Sequence, residues 1–384
     1  MYRRKALSLV STILLAGTIL IPASIWAQSP SFDPNPSVQD IGPKLRSESL
    51  ADVKAANRLE LSASEAGTAP GTVGPKALTS SDVGVVKKWL TNNDYTGRYA
   101  LTTFTLKAVG TYGEVWVAND LNYPAGDPRN SMVTITDGQV QYLLNEFDNR
   151  MYQKEVGFFG PPKERKGVDG YNGWYKDDSG RTVILINNIK DQSYYNSNYP
   201  SYIAGYFSPT VSDFSDRNVM TIDCFDWLNR TGPNAIKPYL YEGVFAHEFQ
   251  HLLHRDTDSG EENFINEGLS DFAQYLVGYG HSQTHVNFFM NHLRNSLTLW
   301  GDQSDLQILG DYGNAYLFQL YLYEKYGEAF IQDEFRSLKH GVDSINASLA
   351  KIGADKTFDQ VYADYMTAVV IYGNIREKIL IILI

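Results

Sequence analysis

One cysteine in 384 residues leaves little room for two common architectures. Cys224 has no partner, so an internal disulfide framework and a cysteine-based zinc site are both excluded. In VMTIDCFDW it reads as a small buried residue on a strand. Basic residues are also in deficit, 33 Lys and Arg against 44 Asp and Glu, for a formal charge of −11. A nucleic-acid binder needs basic surface to replace counterions, so that class is excluded. Adhesion to anionic membranes by charge is excluded on the same ground. Internal repeats are absent, and no acidic loop has EF-hand spacing. What remains is globular composition, 43% hydrophobic and 20% charged, in a chain long enough for one large domain or two ordinary ones.

The opening MYRRKALSLVSTILLAGTILIPASIWAQSP has a basic start, an apolar middle and small residues before Gln28. It reads as a signal peptide over 1–27, ending at Ala27, and predicts export from a bacterial cell with no membrane anchor after cleavage. Removing it takes Arg3, Arg4 and Lys5 and no acid, leaving 30 basic against 44 acidic side chains, or −14. Residues 28–80 are rich in Ser, Pro, Ala, Gly and Asp and predict a disordered linker or pro-segment, with a short helix near LADVKAANRLEL.

The texture changes after residue 80. YALTTFTLKAV and GEVWVAND are β-rich runs that predict a small antiparallel domain over 81–130. A larger domain follows over 131–375. Thr136 or Asp137 caps a helix whose apolar positions Val140, Leu143, Leu144, Phe147 and Met151 recur at helical spacing. RTVILINNI (181–189), YIAGYF (202–207) and NVMTIDCF (218–225) have strand patterns. Helices are predicted over 241–254, 267–278, 284–294, 312–326, 328–339, 343–352 and 358–372. The order gives an α+β fold, with a sheet-bearing N-terminal half and a helical C-terminal half flanking a cleft. The apolar end NIREKILIILI (374–384) reads as a truncated end or a short strand, with the tail proper over 376–384.

FAHEFQHLLH (245–254) carries the chemistry. Residues four apart on a helix are offset by only about 40°, so His247 and His251 project from one face and can reach one ion. Glu248 stands beside the first histidine, placed to contact water at that ion rather than the ion itself. Zinc with one open position needs a third protein ligand. NFINEGLSDFAQYLVGYG supplies Glu267, with Asp271 one turn on to orient a ligand histidine. Glu261 and Glu262 are rival ligands in a connection that reads as solvated. His254 reads as a helix-end residue facing its own terminal carbonyls. His281, His285 and His292 read as surface or groove residues, one of them a candidate for transition-state stabilisation.

HEFQHLLH…NEGLSDFA resembles the gluzincin branch of zinc metallopeptidases, where NExxSD follows HExxH. The longer pattern, with LLNEFDNRMYQKEVGFFGPP, YPSYIAGYF and YGNAYLFQLYLYEKYG, is similar to exported bacterial peptidases related to hyicolysin and loosely grouped with the immune inhibitor A peptidases. The immune inhibitor A motif continues with Gly and Asp after its second His, and this chain does not. The metzincin continuation is also missing, since His254 and Thr257 stand where Gly and His are required. The resemblance implies a thermolysin-like architecture with Zn2+ on His247, His251 and Glu267. It implies Glu248 as the base that takes a proton from a zinc-activated water and passes it to the leaving amine. It also implies an oxyanion donor in DYGNAYLFQ, with Tyr312 at that place and Tyr316 as runner-up.

The activity expected is that of a secreted zinc endopeptidase acting on protein or peptide substrates as a monomer. SYIAGYF is the candidate edge strand on which an extended substrate adds. The loops DGYNGWYKDDSG and NNIKDQSYYNSN are candidate Ca2+ sites. Two other readings stand beside this one. A zinc-stabilised surface-binding module would have no need of Glu248. An aminopeptidase on the same scaffold would need an acidic pocket for a substrate amine, and no GxMEN-like segment precedes the motif.

Overall fold

The computed structural model describes residues 32–61, 77–169, 171–303 and 307–379. The signal-peptide reading of residues 1–27 and the end of the apolar tail lie outside them. Strong β formers build the first half of the chain. The strands are β1 (Ser37–Gln39), β2 (Leu59–Glu60), β3 (Val86–Asn93), β4 (Arg98–Val109), β5 (Gly113–Ala118), β6 (Thr182–Asn187), β7 (Ser201–Ile203), β8 (Gly205–Phe207) and β9 (Val219–Asp223). Seven of them form one sheet in the order β2-β4-β5-β6-β9-β8, with β3 also paired to β4. The centre, β5-β6-β9, is parallel, and β8 runs antiparallel at the edge. β6 is TVILIN, buried at all six positions, as a strand covered on both faces must be.

Alternation along the central strands divides the core in two. Ile184, Ile186, Met220 and Ile222 face a large cluster shared with the helices. Val183, Leu185 and Val219 face a second cluster with Trp89, Trp116 and Tyr175. The β-rich runs expected to form a small domain of their own do pair as β3-β4-β5, but β5 continues directly into β6. They are one flank of the main sheet. The described residues of 28–80, expected to be a linker or pro-segment with one short helix, carry β1, α1 (Gly42–Arg46), α2 (Leu50–Ala55) where that helix was expected, and β2. Ser49 and Asp52 cap α2 reciprocally, and Ile41, Leu45 and Val53 join the second core cluster. Low apolar content hid β1, α1 and β2 from a reading by periodicity. The segment is ordered by packing on a surface that already exists.

Thr136 is the N-cap of α3 (Asp137–Glu146), with Gln139 closing a capping box. A π-turn over Phe147–Met151 passes it into α4 (Tyr152–Phe159). Val140, Leu143, Leu144, Phe147 and Met151 are all buried. Two short helices, α5 (Gln192–Tyr195) and α6 (Pro209–Ser215), lie among the later strands. From residue 240 the chain is helical: α7 (Leu240–Thr257), α8 (Asn263–Val277), α9 (Gln283–Asn291), α10 (Ile308–Tyr326), α11 (Glu328–Phe335), α12 (Gly341–Lys351) and α13 (Phe358–Ile379). Each predicted helix is present, with shifted ends. No helix among the described residues is long and apolar enough to cross a membrane.

α7 runs through the middle of the larger core. Phe245 and Phe249 lie 5.0 and 5.1 Å from the ring of Phe147. Burying each such side chain contributes about 1.5–3 kcal/mol. α8 then crosses α10 closely, because Gly268 presents no Cβ where one would lie 2.7 Å from the carbonyl oxygen of Ala315. This packing fixes three helices and the edge of the sheet around one small space.

Candidate metal centre

α7 delivers His247, Glu248 and His251 to that space, α8 delivers Glu267 and Asp271, and α10 delivers Tyr312. His247 Nε2 lies 3.0 Å from His251 Nε2 and 3.4 Å from Glu267 Oε2. His251 Nε2 lies 3.2 Å from the same Glu267 oxygen. Donors placed about 2.0–2.1 Å from a tetrahedral ion sit about 3.3 Å apart, so this triangle has the dimensions of three zinc ligands. Glu267 is fully buried, and its Oε2 has no hydrogen-bond partner. A buried carboxylate oxygen left without a donor costs heavily unless a cation meets it. These residues fit a metal ion.

The outer contacts set the imidazole orientations. Asp271 Oδ1 lies 3.0 Å from His247 Nδ1, and a carboxylate only accepts, so the proton sits on Nδ1 and the Nε2 lone pair faces the triangle. Asn266 Oδ1 does the same for His251 Nδ1 at 2.7 Å, with Ser270 Oγ at 2.9 Å. Asp271 Oδ2 also meets His285 Nδ1 at 2.6 Å. Burial alone would raise the Asp271 carboxyl. The His285 charge and the bonds from both histidines outweigh it and bring the group down to about 2.

Glu248 is buried beside the triangle, and its Oε2 accepts the N–H of Phe207 on β8 at 2.7 Å. Burial, followed by the charge of Asp40, raises this carboxyl to about 8, against the pull of His247 and the Phe207 N–H. Tyr312 is buried, with its ring centroid 6.5 Å from His247 and 4.9 Å from His285. Tyr316, the runner-up, instead pairs its hydroxyl with His281 Nδ1. A cleft of 540 Å³ opens over the group, lined by Gly205, Val244, His247, Glu248, Gln274 and His285.

The structure brings His247, Glu248, His251, Glu267, Asp271 and Tyr312 together. It adds two residues that no motif marks. Asp40 joins the two histidines and Glu267 in one group of four donors, each within 4.8 Å of the others. Arg46 binds Glu267 Oε1 and places Nη1 3.2 Å from His251 Nε2. Both come from the N-terminal segment, some two hundred residues away in sequence, and no spacing rule reaches that far. Asn266 and Ser270, by contrast, stand inside NExxSD and were legible as neighbours of Glu267 and Asp271 on one helix.

Several expectations are corrected. His254 does not face terminal carbonyls, because α7 continues to Thr257. It is buried against Phe335 at 4.7 Å, and burial takes it down to about 3. Glu261 is not solvated: it is buried and accepts the N–H groups of Gly341 and Glu262. The loops considered for calcium contribute no metal-binding group among the described residues. Asp191 there caps α5 and accepts the N–H of Ile203 instead.

No family model matches the chain. No curated protein matches it either. Among solved structures it is similar to an M1 zinc metallopeptidase from Deinococcus radiodurans, at TM-score 0.37 and 13% identity over 75% of this chain and 61% of that one. A mutant of that enzyme bound to a Tyr-Ser-Ala substrate gives TM-score 0.35 and 12% identity over 76% and 62%. The chain thus spans about three fifths of the length of these structures.

Proposed function

We propose that this chain is an exported zinc-dependent peptidase that cuts within extended polypeptides. The observation that carries the reading is the triangle of His247, His251 and Glu267 donor atoms, 3.0–3.4 Å apart, with an orphaned Glu267 oxygen and Glu248 beside it. Zinc, when bound there, supplies a Lewis acid and lowers the pKa of water. Glu248 takes the proton of the attacking water and returns it to the leaving nitrogen, and the Phe207 N–H fixes the carboxylate for both transfers. Asp271 keeps the His247 lone pair directed at the triangle. Tyr312 is the neutral donor for the developing oxyanion, since burial and then the neighbouring carboxylates hold its hydroxyl well above the ordinary tyrosine range.

Cleavage within a chain, rather than from its end, is supported by the edge of the fold. SYIAGYF runs beside the centre as β7 and β8, and β7 takes on an additional strand in this structure. A groove that accepts a strand by backbone pairing grips a substrate on both sides of a scissile bond. The test uses an N-terminally blocked, internally quenched peptide beside the same peptide with a free amine. Wild type is compared with Glu248→Gln at equal zinc content. Cleavage of the blocked peptide by wild type alone is expected. Cleavage of the free-amine peptide alone would replace the reading with an aminopeptidase, and no cleavage of either peptide by a zinc-loaded chain would favour a binding module.

A further inference from the structure

Three features that a peptide substrate would use are held by one stretch of the protein's own chain. The edge is the first. β1 pairs with β7 in parallel, Ser37 with Ser201, Val38 with Tyr202 and Gln39 with Ile203. The pairing is extended by Ser37 N–H to the Pro200 carbonyl at 2.9 Å and Asp33 N–H to the Ser197 carbonyl at 3.1 Å. The open side of the donor triangle is the second. Asp40 follows β1 directly and sets Oδ2 3.5 Å from His247 Nε2. The oxyanion donor is the third, because the Tyr312 hydroxyl donates to that same Asp40 oxygen at 2.7 Å.

The turn after Asp40 returns a second charge to the centre. Arg46, at the end of α1, donates to Glu267 and to Asn263 Oδ1. Gly42 makes this possible. Its N–H holds Asp40 Oδ1 at 2.7 Å, and a Cβ there would lie 2.7 Å from Arg46 Nη1 and 3.2 Å from both Asp40 oxygens. Ile41 and Leu45, buried between the charged residues, anchor the turn. What the segment offers to the centre is the Asp40 side-chain carboxylate, reached from the cleft wall, so it contacts the centre without presenting a bond to cut.

We infer that Asp33–Arg46 is a built-in inhibitor that pairs with the substrate-binding edge and forms one wall of the cleft, with Asp40 as fourth donor beside His247, His251 and Glu267, and that displacing this segment frees the edge and the fourth position for a substrate. The inference rests on the reading of the cleft as a peptidase site. Its test separates the two. A fluorescent synthetic peptide spanning Asp33–Arg46 is titrated by anisotropy into the full chain carrying Glu248→Gln, with and without Asp40→Ala. Asp40→Asn, which keeps the volume, replaces Asp40→Ala should that variant fail to fold.

The chain's own segment competes at the high effective concentration of a tethered ligand. Weakening it is expected to tighten binding of the free peptide by about tenfold or more. A free peptide that itself carries Asp40→Ala is expected to bind less tightly than the unaltered one. Equal binding to both chains, or binding to neither, overturns the inference. With Glu248 intact, Asp40→Ala is expected to raise hydrolysis of a quenched peptide by about tenfold or more over wild type. If the peptide competes as expected and neither chain hydrolyses, the inhibitor stands and the peptidase reading falls. If both chains hydrolyse equally and the free peptide does not discriminate between them, the peptidase reading stands and the inhibitor falls.

Discussion

Replacing Asp271 by Asn tests how the centre is held together, because the change removes a charge and almost no volume. Asp271 serves two imidazoles, His247 at 3.0 Å and His285 at 2.6 Å. The carboxylate accepts from both. An asparagine offers one oxygen and one NH2, so one of the two imidazoles meets a donor with a donor. If that one is His247, its proton moves to Nε2 and an N–H enters the triangle in place of a lone pair. A lost hydrogen bond to a charged group costs about 1.5–3 kcal/mol. Loss of an outer partner of a ligand histidine lowers metal affinity about 10–100-fold. That range corresponds to about 1.4–2.8 kcal/mol, in agreement with the cost of one such bond. The assay is zinc competition against a fluorescent chelator, with circular dichroism to show that the fold persists. Glu248→Gln is the reference, since Glu248 orients water and not the ligands, and it is expected to hold zinc as wild type does. Zinc affinity equal to wild type in Asp271→Asn would refute the orienting role. An equal loss in Glu248→Gln would refute the division of labour between the two acids.

Tyr312→Phe keeps the ring against Trp300 and His285 and deletes the donor; kcat is expected to fall about 100-fold with KM little changed. Steady-state kinetics check this, and an unchanged kcat would remove Tyr312 from the mechanism. Glu334 is buried, its Oε2 unpartnered, and burial raises it from 4.5 to about 8 despite a bond from Gln319. The native state therefore holds a proton that the unfolded state has lost, so stability falls as pH rises from about 4.5 to about 8, by about 1.4 kcal/mol per unit at most. Glu334→Gln is expected to flatten that slope in urea unfolding at several pH values. Two glycines should respond oppositely to alanine. At Gly313 a Cβ would lie 2.2 Å from the His285 carbonyl oxygen, so Gly313→Ala is expected to push α9 from α10 at a cost of about 1–3 kcal/mol. At Gly157, exposed within α4 with nothing near its absent Cβ, Gly157→Ala is expected to add about 0.5–1 kcal/mol of stability, read from the unfolding midpoint.

The local parts of this protein were written in the sequence because they depend on spacing along one element. His247 and His251 share a face by helix geometry alone. Thr136 and Gln139 cap α3 from three residues apart. The continuous apolar run of β6 announced a strand covered on both sides. NExxSD placed Glu267 and Asp271 on one helix, and with it Asn266 and Ser270. Tertiary structure decided everything that depends on where one element meets another. β3-β4-β5 is a flank of the main sheet because β5 found β6, a pairing that no turn signal specifies. His254 and Glu261 are buried because other helices close over them. Asp40 and Arg46 entered the centre from a segment with no periodic apolar pattern of its own, ordered only by the edge strand and the core face it lies on. A helix fixes its neighbours within one turn by covalent geometry, whereas a contact across two hundred residues exists only once the surfaces on both sides have been built.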